Sequence, residues 1–126
     1  MKFSTKAEYG LRAMVNLAGC FPAQKNLTNI SREEKISLKY LERIVGELRK
    51  KNLLKSTKGK SGGYMLAKNP KNIKVGEIIE ILDGPIEPTK CSLCKVESKC
   101  SSSFVWIKLG KEIKKTLRLI KLNELV

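Results

Sequence analysis

ISLKYLERIVGELRKKNLLKSTKGKSGGYMLAK, residues 36–68, divides into a helix and a hairpin. Ser37 is a good N-cap for a helix running to about Lys51, because its hydroxyl can accept an otherwise unpaired backbone N–H. Leu41, Ile44, Val45 and Leu48 recur at i, i+3, i+4 and i+7 and form one apolar face. Lys39, Arg43, Gly46 and Lys50 fall opposite. Two strand-like stretches follow, Leu53–Thr57 and Tyr64–Ala67. They flank the basic, glycine-rich tip Lys58-Gly59-Lys60-Ser61-Gly62-Gly63. Upstream, Thr28 reads as the cap of a short helix over Asn29–Lys35, and Ile36 sits in a tight turn.

Helix, tight turn, helix and hairpin make a winged helix-turn-helix. Working outward, Thr5-Lys6-Ala7-Glu8 reads as a capping box opening a first helix, with Leu11, Met14, Val15 and Ala18 on its apolar face. After Pro70, Val75, Ile78, Ile79 and Leu82 mark another amphipathic helix, stopped by Gly84-Pro85. A long helix is expected over about Phe104–Leu119, and Leu122–Val126 reads as a docked turn. The expected architecture is mainly α with a small β-hairpin wing. It comprises a DNA-binding unit over 1–84, a cysteine-bearing loop over 85–102, and a dimerisation helix with its tail over 103–126.

Lys and Arg number 26 against 12 Asp and Glu, a net charge of +14. A field of that sign favours a polyanion. Residues 1–60 carry +9 and residues 61–126 carry +5. No apolar run is long enough to span a bilayer, and the N-terminus lacks a signal-peptide core, so a cytoplasmic location is expected. In a recognition helix the N-terminal residues enter the major groove. Ser37, Lys39, Tyr40, Glu42 and Arg43 are therefore candidate contacts, Arg43 for guanine and Glu42 for cytosine, with Tyr40 at the boundary of the packed face. Thr28, from the preceding helix, joins them. At the hairpin tip Lys58 and Lys60 suit phosphates, and Gly59, Gly62 and Gly63 permit close backbone approach.

The chain has no histidine and no paired-carboxylate or nucleophile–base motif, which argues against an enzyme. Cys91-x2-Cys94-x5-Cys100 instead offers three soft ligands on one loop, suited to an iron–sulfur cluster or zinc, or to a thiol switch. Candidates for a fourth ligand include Glu8, Ser103 and Glu97. Cys20, in a separate loop, reads as a small apolar residue. Val105, Leu109, Ile113, Leu117 and Ile120, with Trp106, recur along the long helix and suit either a helix packed within the protomer or a symmetric homodimer, which would sit on a palindromic duplex.

KAEYGLRAMVNLA at 6–18, residues 36–68 as quoted, and VGEIIEILDGPI at 75–86 resemble the Rrf2 family of bacterial transcription regulators. The likeness covers nearly the whole chain. It implies a winged helix-turn-helix followed by a long helix that crosses its dimer mate. It also implies a cluster on three cysteines just before that helix, controlling binding to operator DNA. Contacts are implied at Ser37, Lys39, Tyr40, Glu42 and Arg43, and around Lys58-Gly59 and Gly62-Gly63. Lys58 stands where members usually have arginine, Asn52 where they have a small residue, and Ser103 where some have a histidine ligand. Some relatives use a carboxylate from the partner's first helix, the position of Glu8. Two alternatives remain: a cluster-free repressor controlled by thiol redox or a partner enzyme, and a zinc-holding RNA-binding protein.

Overall fold

The computed structural model describes residues 2–59, 62–88 and 101–126. Five helices and one hairpin follow in the order α1 (Thr5–Cys20), α2 (Leu27–Glu34), α3 (Leu38–Lys50), β1 (Leu54–Thr57), β2 (Gly63–Leu66), α4 (Val75–Asp83) and α5 (Ser103–Leu119). Short 3-10 turns at Pro70–Asn72 and Leu122–Leu125 precede α4 and close the chain. The fold is the winged helix expected, mostly helical with one antiparallel pair.

Two helix starts differ from the sequence reading. Ser4, not Thr5, caps α1: its Oγ accepts the Ala7 N–H at 3.0 Å. The Ser4 hydroxyl also donates to Asp83 at the end of α4, and its backbone N–H donates to the same carboxylate at 3.1 Å. Asn26, not Thr28, caps α2, its Oδ1 accepting the Asn29 N–H at 2.8 Å. Thr28 is the second residue of α2 and is exposed. In each case the better capping residue, serine or asparagine in place of threonine, holds the position.

The main core gathers Met14 and Leu17 of α1, Ile30 of α2, Leu41, Ile44, Val45 and Leu48 of α3, Leu54 and Leu66 of the hairpin, and Ile78 and Leu82 of α4. A second cluster, Ala7, Val75, Ile79 and Ile86, takes Phe3, Ile113, Leu117 and Ile120 on its edge. α4 contributes to both, so α3 and α5 pack on different faces of it. Gly10 makes the α1–α3–α4 junction tight. A Cβ there would lie 2.1 Å from Leu82 Cδ1 and 3.3 Å from Ile44 Cγ2.

The tail is docked as the sequence suggested. Leu122 is buried, its N–H donates to Ile73 O at 2.8 Å, and Val75 N–H donates to Ile120 O at 2.9 Å. Cys20 is half-buried against the main core, with its Sγ 3.4 Å from Leu17 O. No helix among the described residues is long and apolar enough to cross a membrane.

Candidate nucleic-acid interface

The apolar stripe of α3 orients everything on its other side. Leu41, Ile44, Val45 and Leu48 are all buried, which turns Lys39, Glu42 and Arg43 to solvent. Ser37 caps the helix as expected, its Oγ accepting the Tyr40 N–H at 3.2 Å. Tyr40 is half-buried and packs edge-on against Tyr9, with ring centroids 5.8 Å apart. The Arg12 guanidinium sits 5.4 Å from the centroid of the Tyr9 ring. Leu38 also remains 40% exposed on the first turn. The periodicity gave Leu38 no role, although its place between Ser37 and Lys39 puts it beside the candidate contacts.

α2 is clamped onto α1 by polar groups whose pairing the sequence does not display. Arg12 donates to Glu34 O at the end of α2 and pairs with the Glu34 carboxylate at 3.4 Å. Lys25 Nζ donates to both Glu33 and Asn16, and Asn16 Nδ2 donates to Glu33 at 3.1 Å. The hydrogen bond from Lys25, then that from Asn16, holds the Glu33 carboxyl below its ordinary pKa. α2 ends at Lys35 in the left-handed region, φ 57°, and Ile36 N–H donates to Ser31 O at 3.1 Å to close the turn into α3. Asn52 takes φ 65° in the turn from α3 into β1, a conformation that asparagine tolerates better than most residues.

The wing is fastened to the start of α2. Lys25 and Tyr64 exchange two backbone hydrogen bonds, each 2.9 Å. The Thr57 hydroxyl donates to Gln24 Oε1 and accepts the Gly63 N–H at 3.2 Å. This attachment explains Gly63, and the hairpin's own tip explains Gly62. A Cβ on Gly63 would lie 2.4 Å from Lys25 O, and one on Gly62 would lie 2.6 Å from Thr57 O. The close approach they permit is thus to the protein's own backbone. Gly59, at φ 109° with open space around it, is the tip residue that needs glycine for its conformation. Lys58 and Gly59 are exposed; Lys60 lies outside the described residues.

Cys91, Cys94, Cys100 and Glu97 also lie outside them. Of the other candidate ligands, Glu8 is exposed in the first turn of α1. With Ser4 as the cap, the position of a capping-box carboxylate falls on Ala7, so Glu8 is released from that role. Ser103 is 6% exposed at the start of α5 and makes a polar interaction of its own.

The apolar residues of α5 split into two groups. Ile113, Leu117 and Ile120 pack on the α4 cluster. Val105, Trp106 and Leu109, nearer the start, are exposed at 55%, 38% and 40%.

Comparison with known proteins agrees with this geometry. A family model described as Rrf2, iron-dependent transcriptional regulator, matches residues 3–126. The HTH-type transcriptional regulator IscR of Klebsiella pneumoniae (strain 342) is 35% identical over 134 aligned positions, covering 100% of this chain and 80% of that protein. Among solved structures, CymR, the global cysteine regulator of B. subtilis, superposes with a TM-score of 0.85 at 34% identity, covering 99% of this chain and 95% of that one. IscR of T. potens gives 0.79 at 39% identity, covering 98% and 84%.

Proposed function

The chain belongs to the Rrf2 family of transcriptional regulators, and on that premise we propose that it binds a palindromic operator as a homodimer and reports the state of an iron–sulfur cluster on its cysteine loop. It is a transcriptional regulator of the IscR and CymR type, whose relatives are named as regulators.

The observation that carries the operator reading is the division of α3. Its whole apolar stripe is buried while Ser37, Lys39, Glu42 and Arg43 stand exposed on one end, beside a basic wing. That arrangement suits insertion of the helix N-terminus into a major groove, with Thr28 and Tyr40 at its border and Lys58 to Gly63 tracking phosphates. Selection from a random duplex pool is expected to return an inverted repeat. Arg43→Ala then weakens binding to the selected duplex by about 1–3 kcal/mol and relaxes preference at one base pair of each half-site. Competition with single-substitution duplexes measures both. A uniform loss at every position would make Arg43 a phosphate contact only.

The homodimer reading rests on Val105, Trp106 and Leu109, which the protomer leaves uncovered beside a groove lined by Phe3, Ile113, Thr116 and Leu117. A second α5 is an apolar partner of matching length.

Cys91, Cys94 and Cys100 would hold the cluster, and the Glu8 carboxylate of the opposite protomer would complete the set. Three thiolates and one carboxylate are a donor set that iron accepts. Glu8 suits this better than Ser103 because its carboxylate is exposed and has no hydrogen-bond partner among the described residues. When bound, such a cluster supplies an oxidisable iron centre with one weakly held position. The chain's own part is to deliver that loop directly into α5.

Anaerobically purified protein is expected to contain iron and sulfide in matched amounts, with a broad visible absorption lost in Cys91→Ser. A colourless, iron-free protein after anaerobic reconstitution would leave the second reading, a cluster-free regulator governed by thiol redox or a partner enzyme. The likeness to CymR, including an oxidized form from Staphylococcus aureus at TM-score 0.80, favours that alternative.

A further inference from the structure

Lys111, Lys114, Lys115 and Arg118 occur at i, i+3, i+4 and i+7, the spacing by which a helix builds one face. Here that face is wholly cationic. With Lys74 at the start of α4 and Leu119 at the edge, they line a shallow groove of about 390 Å3. Its walls are fixed by backbone. Lys74 bridges to Lys121, Val75 N–H donates to Ile120 O at 2.9 Å, and a Cβ on Gly76 would lie 3.4 Å from Leu117 Cβ and Arg118 Cγ.

The charges are nearly uncompensated. Glu80 reaches Arg118 at 3.7 Å, but among the described residues Lys74, Lys111, Lys114 and Lys115 have no acidic partner. Glu112, the acid within α5, lies three residues before Lys115 at the edge of the stripe, but it lines the neighbouring groove with Phe3 and Ile113 and pairs with no cation among the described residues. A solvated helix face ordinarily mixes signs at these spacings, because like charges there oppose the helix. A stripe kept uniformly positive is suited to a partner that supplies the missing charge.

We infer that this groove is a second, sequence-independent binding surface for duplex DNA. The stripe from Lys111 to Arg118 runs about 10 Å along the helix axis, which matches roughly three successive phosphates of one strand. No aromatic lines the groove and lysine dominates it. Protein–protein interfaces have the reverse composition, rich in aromatics and poor in lysine, so the lining favours phosphates over an acidic protein. α5 packs on a different face of α4 from α3. The groove is thus a surface apart from α3 and the wing, and the inference assigns it a separate segment of duplex. One protein can then bring two stretches of DNA together.

The test uses the full chain and a random-sequence duplex of about 40 base pairs, with binding measured across a salt series. Lys111→Ala/Lys114→Ala/Lys115→Ala is expected to reduce the salt slope by roughly two to three units while leaving preference for a selected duplex intact. Lys39→Ala/Arg43→Ala/Lys58→Ala should lose that preference yet keep salt-dependent binding, and combining both sets should abolish it. The altered side chains are exposed or half-buried, and circular dichroism melting checks that each variant folds. The inference is overturned if the groove variant matches wild type in slope and affinity, or if the reading-face variant alone abolishes duplex binding. It is also overturned if polyglutamate of matched charge binds the groove as tightly as DNA, which would point to an acidic protein. A wild-type protein without sequence preference would strike the operator reading and leave this result standing.

Discussion

Ile44→Ala lowers the free energy of unfolding by about 2–5 kcal/mol. Ile44 has no exposed surface and belongs to the cluster that joins α1, α3 and α4. The substitution removes three carbons, each contributing about 0.8 kcal/mol by transfer out of water. It also leaves a void whose cost depends on how far the walls can collapse. They collapse little here. Gly10 already brings α1 so close that a Cβ would overlap Leu82 Cδ1. The upper half of the range is therefore expected, with a melting temperature lower by roughly 10–20 °C at fixed protein concentration. Arg43→Ala, one residue away and exposed, changes stability by no more than about 0.5 kcal/mol. If the two variants melted together, Ile44 would not hold the junction.

Gly63→Ala is expected to weaken binding to a selected duplex by about 10- to 100-fold, equivalent to about 1–3 kcal/mol. The added methyl would meet Lys25 O at 2.4 Å, Lys25 C at 2.6 Å and Asn26 N at 2.9 Å. All three are backbone atoms, so no rotamer change relieves the clash. The paired hydrogen bonds between Lys25 and Tyr64 must open, and the wing loses its attachment to the start of α2. Most of the main core is remote from this point, so global stability falls less, by about 1–3 kcal/mol. Gly46→Ala is the matching control. It places the same methyl in a helix with nothing within 4 Å, and it stabilises the fold by about 0.5–1 kcal/mol. Unchanged DNA binding in Gly63→Ala would mean that the wing needs no anchor.

Among the described residues periodicity located α1, α3, α4 and α5, because burial repeats with the helical turn, while the short α2 was placed by its cap. α3 is the clearest case, where the four residues assigned to the core are the four that are buried. Choices settled by distant partners were not readable in the same way. Ser4 and Thr5 can both cap locally, and Asp83, 79 residues away, accepts from Ser4. Asn26 and Thr28 posed the same ambiguity. On α1, Leu11 and Val15 are half-buried while Ala7, Gly10 and Ala13 are buried, because α4 packs where the side chains are small. α5 carries one continuous apolar series in sequence, yet its two halves have different surroundings. The attachment of the wing to the start of α2 is made largely by backbone groups, and its trace in residue type, Gly63, reads equally well as a turn glycine. The exposure of Ser37, Lys39, Glu42 and Arg43 is legible in the sequence because they are the complement of the buried stripe. The cationic stripe on α5 was visible too, but its meaning depends on Lys74, which only the fold brings beside it.

α4 is nine residues long, and it gives the molecule its gearing. Ile78 and Leu82 mesh with the body that carries α3, while Val75 and Ile79 mesh with α5. Gly10 brings α1 against it with little slack, since a Cβ there would lie 2.1 Å from Leu82 Cδ1. Packed interiors shift between discrete arrangements and do not yield gradually. On the function proposed above, a displacement of α5 imposed at the cysteine loop would reach α3 as a tilt of this short shaft. Resizing a side chain on α4, remote from both ends, would alter how much of that movement arrives.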